Sequence, residues 1–214
     1  MSNEALEQAQ LKKFEAEAGA YLAEQRYNDL QSERLLRVKE EEDADVSNQR
    51  ILDFVTEVTD SSVYHAIKRL SEWRHRSPEP ITIRFNTPGG DIIAGVALYD
   101  YVQTLKGESI VVKAEGLGMV ASMGAVLLQC GTTRAMSKGC WLMIHELSTY
   151  NEGKLSEVKD TTKWLERAQL KLDHILTERS TLTLAQLRRR TSKGKDWWLD
   201  AGEALKYGFI DSIT

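Results

Sequence analysis

Ser122 lies among small neighbours in the apolar stretch GMVASMGAVLLQCG, residues 118–131 of this 214-residue chain. The pattern predicts a helix that starts near the serine, and a helix N-terminus supplies free backbone N–H groups and a partial positive charge. Such donors, with the N–H of Met123 next in line, could stabilise the oxyanion formed when a serine hydroxyl attacks a carbonyl carbon. A serine at a helix start is also a common cap. The residues alone leave Ser122 as either a cap or a nucleophile.

A histidine and an aspartate elsewhere in the chain could assist such a serine. His145 ends the apolar run CWLMIH, and Asp196 precedes two tryptophans in KGKDWWLDAGEA. Histidine is the usual base for activating a serine, although a lone histidine at a strand end is usually structural. Asp196 is expected to be partly buried, and a buried carboxylate needs a hydrogen-bond partner such as an imidazole N–H. The alternative for Asp196 is a helix cap, a role for which Asp200 competes.

The glycine pair in NTPGGD, residues 86–91, follows a predicted strand and opens a predicted helix. Paired glycines let backbone amides face a ligand without obstruction by side chains. The segment matches neither GxxxxGK[ST] nor GxGxxG, which argues against a phosphate loop. The remaining histidines, His65, His75 and His174, lie on charged helical segments and are expected to be exposed. No two histidines have zinc-ligand spacing, so neither a metal nor a cofactor is expected.

The composition indicates a globular protein, with 42% hydrophobic and 28% charged residues. The net charge of -4 does not indicate nucleic-acid binding, since nucleic-acid-binding domains are typically basic. The N-terminus shows no secretory signal, and the most apolar window is too short to span a bilayer, so we expect a cytoplasmic protein that does not contact membranes. Cys130 and Cys140 lack CxxC spacing and are expected to be buried thiols.

Residues 1–48 form a predicted charged extension. They are dense in Glu, Gln, Lys, Arg and Ala, and Leu11, Phe14 and Ala18 follow a helical spacing. The acidic run EEEDAD, residues 40–45, is expected to be a solvated break before the folded domain. A thin apolar stripe on a charged helix favours docking or assembly, and the alternative is a frayed solubilising arm.

Residues 49–214 form the predicted folded domain, because strand-like and helix-like patterns alternate there and define an α/β protein. A helix over residues 59–76 is expected to have Asp60 or Ser61 as its cap. The other predicted elements are strands at 50–58, 81–86, 109–115, 133–137 and 140–145, and helices at 92–106, 118–131, 154–179 and from 183.

Four blocks of the sequence, taken together, resemble the ClpP family of serine peptidases. They are NTPGGDIIAGVALYDYVQ, GMVASMGAVLL, WLMIHE and DWWLDAGEALKYGFIDSI, in family order and near family spacing over roughly residues 50–214. The resemblance implies a crotonase-like spiral of β-β-α units, with the helix at 154–179 protruding as a handle.

The same resemblance implies which residues form the active site. It assigns a Ser-His-Asp triad, and it assigns the oxyanion hole to two backbone N–H groups. The triad residues are Ser122, His145 and Asp196, and the oxyanion-hole residues are Gly90 and Met123.

The resemblance further implies an oligomeric serine endopeptidase that cleaves peptides or unfolded proteins inside an enclosed chamber. Family members form rings of seven subunits that stack face to face as a tetradecamer, with the handle between the rings. An ATP-dependent unfoldase is the usual partner, but the charged helix of residues 1–45 replaces the short loops that meet it, which argues against one here. The segment after His145 has only Gly153 and lacks the usual proline, so substrate binding or ring pairing is expected to differ.

Three alternatives stay open. ClpP-like head maturation proteases of phages share the blocks, and catalytically silent ClpP-like chains act as assembly or interaction proteins. A crotonase acting on acyl-CoA shares the fold but does not need Ser122, His145 and Asp196 together.

Overall fold

The computed structural model describes residues 49–148, 152–192 and 194–214, together with residues 25, 26 and 30. The chain divides into two compact units, residues 1–49 and 50–214, and the elements named below belong to the second. The predicted helix within residues 1–48 lies outside the described residues except at those three positions, which are helical.

In the described part of the chain, seven strands form one sheet. In chain order they are β1 Ile51–Phe54, β2 Ile81–Thr87, β3 Val112–Ala121, β4 Thr133–Met136, β5 Trp141–Ile144, β6 Trp197–Leu199 and β7 Ser212–Ile213. The path β1-β2-β3-β4-β7 is parallel throughout. Strand β5 leaves this path to pair in parallel with the second half of β3, and β6 pairs antiparallel with β5.

Six helices accompany the sheet over the same residues. They are α1 Asp60–Arg76, α2 Ile92–Gly107, α3 Met123–Leu128, α4 Leu155–Glu178, α5 Leu184–Thr191 and α6 Ala201–Lys206. This alternation of strands and helices around a mainly parallel sheet confirms the predicted α/β class. The predicted handle corresponds to α4, and the helix predicted from residue 183 is α5, which begins with a capping box at Thr183.

The sequence prediction was wrong about the boundary before Ser122. Strand β3 continues to Ala121, so it includes the first residues of the segment 118–131 that was predicted to be helical. The helix α3 covers only six residues, all of them buried. The reason is the pairing of β3 with β5, from Met119 opposite Trp141 onwards, since long-range strand pairing overrides a local helical preference.

The predicted cap of α1 was also off by one residue. Thr59 is the N-cap, and its side chain accepts a hydrogen bond from the N–H of Ser62, whose own hydroxyl accepts from the Thr59 N–H. This reciprocal capping box satisfies two otherwise unpaired donors, which neither Asp60 nor Ser61 could do from inside the first turn.

The core lies where the helices cover the sheet. Fully buried side chains come from β2, α2 and α3, among them Phe85, Leu98 and Leu127. Because α3 is buried on every side, its sequence has no polar face, and it presents Ser122 at its start. Within the described residues, no helix combines the length and the apolar character needed to cross a bilayer.

Candidate active site

Ser122 occupies the sharp turn between β3 and α3. Its φ is +56° and its ψ is -120°, a strained conformation for a residue other than glycine. Its N–H donates to the Met143 carbonyl at 2.9 Å, and its carbonyl accepts from the N–H of Ala125 at 3.0 Å. The hydroxyl makes no capping hydrogen bond to α3, so the cap interpretation does not hold. The turn instead leaves the hydroxyl available to another partner.

That partner is His145, which directly follows β5. The distance between Ser122 Oγ and His145 Nε2 is 2.7 Å. The two residues meet because β3 and β5 are parallel neighbours, with Ala121 opposite Met143, and both follow the carboxyl end of their strand. A neutral imidazole at this distance can take the hydroxyl proton.

Asp196 lies beside the same histidine at longer range. Its Oδ1 is 3.9 Å from His145 Nδ1, and its side chain is 54% exposed, so the expectation of partial burial was wrong. Residues 196 and 198 point to the outer face of the edge strand β6, while Trp197 points inward against Tyr207. The cap of α6 is Asp200, which accepts from the Glu203 N–H at 2.8 Å.

Gly90 presents a backbone amide close to Ser122. It forms a parallel bridge with Val58, in which the Val58 N–H donates to the Gly89 carbonyl and the Asp91 N–H donates to the Val58 carbonyl. The bridge therefore directs the N–H of Gly90 to the opposite side. Neither this amide nor that of Met123 donates to a protein group among the described residues. A Cβ on Gly90 would lie 2.3 Å from the Val58 oxygen, so only glycine fits there.

Gly89 brings the turn of NTPGGD directly against the serine. A Cβ at this position would lie 2.6 Å from Ser122 Cβ, and the φ of +100° also favours glycine. The turn is braced by Thr87, whose hydroxyl accepts from the Gly89 N–H at 3.2 Å. Gly89 therefore allows the turn to approach Ser122, and Gly90 allows it to approach Val58, more closely than side chains would permit.

A cavity of about 520 Å³ opens next to this cluster. Ser122 and His145 lie on its wall, together with Gly90 and Met123. Much of the remaining lining is apolar and comes from α2, β5 and α4, for example Ile92, Met143, Leu165 and Leu172. The cavity can therefore hold an extended apolar group beside the serine.

A set of polar residues that begins on the cavity wall, at Gln169, was not predicted from the sequence. The Leu147 N–H donates to Gln169 Oε1 at 2.6 Å, Gln169 Nε2 donates to Asp173 Oδ1 at 2.7 Å, and Arg188 Nε donates to Asp173 Oδ2 at 2.8 Å. The available signal was the spacing of Gln169 and Asp173, which places both on one face of the helix. Glu146 was missed as well, and its carboxylate accepts from the Gly194 N–H at 3.2 Å.

Other predicted features have simpler environments. His65, His75 and His174 are exposed, as expected. Cys130 and Cys140 are buried, and burial raises the pKa of Cys130 to about 12 and that of Cys140 to about 11, so both thiols stay protonated at neutral pH. The described residues contain no group of three side chains suited to hold a metal ion.

Fold and site together define a class: α/β proteins in which a strained serine contacts a histidine at the carboxyl ends of adjacent parallel strands. The family model for Clp protease matches residues 33–214, and the chain belongs to the Clp protease family. The ClpP resemblance predicted from the sequence blocks is therefore confirmed, and the sheet and helices agree with that fold.

Several curated proteins are similar to this chain. It is 28% identical to the ATP-dependent Clp protease proteolytic subunit 1 of Streptomyces coelicolor, across 93% of this chain and 82% of that protein. It is 34% identical to proteolytic subunit 2 of Tropheryma whipplei, across 63% of this chain and 73% of that protein. It is 31% identical to proteolytic subunit 3 of a Synechococcus species, across 77% of this chain and 82% of that protein.

Proposed function

We propose that this chain is the subunit of an oligomeric serine endopeptidase that cleaves peptides or unfolded proteins. The observation that carries the proposal is the 2.7 Å contact between Ser122 Oγ and His145 Nε2 on the wall of an apolar cavity. The strained backbone of Ser122 supports it, since such strain is characteristic of functional sites. The relatives named as Clp proteolytic subunits support it further.

In the proposed acylation step, neutral His145 accepts the hydroxyl proton as Ser122 Oγ attacks the peptide carbonyl carbon. The N–H groups of Gly90 and Met123 donate to the resulting oxyanion, and each such donor contributes about 3–4 kcal/mol to transition-state stability. The protonated imidazole then gives its proton to the leaving amine. Water hydrolyses the acyl-enzyme with the same histidine acting as base.

Asp196 is the proposed third member of the triad. Its carboxylate is 3.9 Å from His145 Nδ1, beyond hydrogen-bond range, and its exposed position leaves room for it to close on the ring as positive charge develops. Glu146 supports this arrangement, because its hydrogen bond to Gly194 ties the segment before Asp196 to the residue after His145.

The apolar cavity indicates a preference for substrates with an apolar side chain next to the cleaved bond. Such a side chain would displace water from Met143, Leu165 and Leu172. A negatively charged side chain would lose its hydration there and would meet the carboxylate of Asp91 on the cavity wall.

The proposed assembly is a pair of stacked heptameric rings, with residues 49–214 as the peptidase domain and residues 1–48 as an extension. Helix α4 exposes Leu155, Trp164 and Leu170, and such apolar surface is expected to be covered by another subunit. We place the assembly in the cytoplasm. An ATP-dependent unfoldase stays open as its partner, although the charged extension argues against one.

A second candidate function is a catalytically silent assembly protein. The observation in its favour is the separation of Asp196 from His145, together with the 54% exposure of the carboxylate side chain. An incomplete triad of this kind would keep the fold and the oligomer but lose turnover.

The test is peptide hydrolysis measured on fractions separated by size, with masses from light scattering. We expect activity in a ring-sized species, and a loss of at least about 1000-fold in Ser122→Ala with the assembly intact. The exposed Ser61 on α1, which is not part of the cavity lining, gives the matched control Ser61→Ala, which should keep full activity. A ring-sized wild type that never cleaves would favour the silent assembly protein, and full activity in Ser122→Ala would reject the proposed nucleophile.

A further inference from the structure

Helix α4 carries a buried carboxylate that the proposed chemistry does not use. Asp173 is 2% exposed, and its carboxylate accepts one hydrogen bond from Gln169 Nε2 and one from Arg188 Nε. A carboxylate is stable in such a place only when charged or polar donors replace its water. The two hydrogen bonds therefore fix the position of the Asp173 carboxylate and of the two donor side chains.

Gln169 transmits that constraint toward the site. An ionised carboxylate can only accept hydrogen bonds, so the amide NH2 of Gln169 must face Asp173 and its Oε1 must point the other way. Oε1 accepts from the Leu147 N–H at 2.6 Å. Three hydrogen bonds thus connect helix α5, which carries Arg188, with the backbone just after His145.

The backbone after His145 needs such a constraint. Strand β5 ends at Ile144, opposite Trp197, and residues 145–148 have no strand partner. The direction of the imidazole therefore depends on what fixes this segment. A displacement of about 1 Å at a reacting group can cost a factor of about 100 in rate, so a single backbone contact at Leu147 can matter for catalysis.

The opposite end of the hydrogen-bond chain lies close to the segment that carries Asp196. Helix α5 ends at Thr191, shortly before Gly194, whose N–H donates to Glu146. Asp173 is thus connected through Gln169 to the segment of His145 and through Arg188 to the helix that leads to Asp196. One buried carboxylate links both segments.

We propose that Gln169, Asp173 and Arg188 form a positioning relay that sets the direction of His145 toward Ser122. The inference rests on the proposed peptidase function, in which His145 is the base. The three side chains act through His145, so they are positioning residues. Asp173 and Arg188 are not part of the cavity lining, so their loss should slow the chemical step and leave substrate affinity nearly unchanged, whereas Gln169 lines the cavity itself.

The sharpest test compares two neighbouring arginines. Arg188 is 48% exposed, so Arg188→Gln removes the positive charge beside Asp173 without opening a buried cavity, and leaves at most a neutral amide as a weaker donor. Arg189 is exposed and makes no contact with Asp173, so Arg189→Gln is a control with the same charge change. We expect the fluorophosphonate labelling rate and kcat to fall about tenfold in Arg188→Gln, with KM changed less than about twofold. Arg188→Lys should recover part of the loss, and Arg189→Gln should match the wild type.

A second measurement follows the relay without relying on activity. Hydrogen–deuterium exchange at the Leu147 amide, read from overlapping peptides, should be faster in Arg188→Gln and in Gln169→Met than in the wild type. Arg189→Gln should leave it unchanged. Exchange at this amide reports the hydrogen bond to Gln169 directly.

The outcomes separate the relay from the peptidase proposal. Equal labelling rates in Arg188→Gln and Arg189→Gln, or faster exchange at Leu147 without slower labelling, would overturn the relay. A wild type that never labels would reject the peptidase proposal instead. In that case, faster exchange in Arg188→Gln alone would still support the relay, and unchanged exchange would overturn it.

Discussion

Asp173 and Asp196 are both connected to the candidate site, but their environments are opposite. Asp173 is 2% exposed and accepts hydrogen bonds from two side chains, whereas the side chain of Asp196 is 54% exposed and lies 3.9 Å from the nearest imidazole nitrogen. The tryptophans after Asp196 suggested burial for that residue, while nothing in the charged helix α4 suggested it for Asp173. The comparison shows that donors on neighbouring elements, rather than apolar neighbours in sequence, decide where a carboxylate can be buried.

The two environments suit different tasks. A carboxylate held by two donors has one position and can serve as a fixed point for the backbone around it. An exposed carboxylate beside an imidazole can move when the ring becomes charged, at little cost in folding free energy. We therefore assign Asp173 to positioning and Asp196 to the reaction, and the following predictions test that division.

The largest expected effect is on activity. Asp196→Asn should lower kcat by a factor of about 100 to 10000, because the amide neither stabilises the imidazolium nor fixes its tautomer. Asp200→Asn is the matched control, since asparagine also caps a helix well and α6 should keep its N-cap. Steady-state peptide hydrolysis measures both. Equal activity in the two variants would remove Asp196 from the proposed triad.

The next effect is on the free energy of unfolding, where the loss of Asp173 should matter more than the loss of Asp196. Asp173→Ala removes the acceptor of two hydrogen bonds and should lower the free energy of unfolding by about 1.5–3 kcal/mol. Asp196→Ala changes an exposed residue and should stay within about 0.5 kcal/mol of the wild type. Denaturant titrations followed by tryptophan fluorescence would compare them. A larger loss in Asp196→Ala would contradict the assigned roles.

The smallest effect concerns Asp211, an exposed aspartate that is paired with two arginines. Burial raises the pKa of its carboxyl, but hydrogen bonds and charge from Arg134, with a contribution from Arg179, outweigh burial and hold the pKa below its ordinary value. The resulting stabilisation is therefore present above the ordinary aspartate pKa of about 3.9 and is lost as the pH falls through the lower folded-state value.

Asp211→Asn should accordingly melt below the wild type at neutral pH, and the gap should close as the pH falls below about 4. Asp53→Asn offers a comparison, because the Asp53 side chain is 59% exposed and lies 3.9 Å from Arg84. Melting temperatures across the pH range measure both variants. A gap for Asp211→Asn that stays constant with pH would mean that the contacts of Arg134 and Arg179 do not depend on the charge of Asp211.

The α/β class and most element positions were predictable because periodicity is a local property. The alternation of apolar and polar residues in ITIRFN correctly predicted β2. The spacing of apolar residues in 154–179 correctly predicted α4. The length of β3 was not predictable, since its second half is a strand only because β5 pairs with it. The residues of β3 alone do not reveal that β5 pairs with them, because β5 lies about twenty residues further along the chain.

The candidate site was predictable in part. The residues around Ser122 were compatible with either a cap or a nucleophile. The positive φ of Ser122, at which its hydroxyl makes no capping hydrogen bond, is visible only in the structure. The contact with His145 depends on the parallel pairing of β3 and β5. The relay through Asp173 depends on α5 packing beside α4, which no spacing along one helix reveals.

The most direct test of the central claim is to map the fluorophosphonate adduct by peptide mass spectrometry on the folded, full-length assembly. The account predicts one adduct, on Ser122, that does not form in His145→Ala or when the protein is unfolded before labelling, because only the folded pairing of serine and histidine activates the hydroxyl. An adduct on another serine, or none on a folded assembly, would contradict the assignment of Ser122 as the nucleophile.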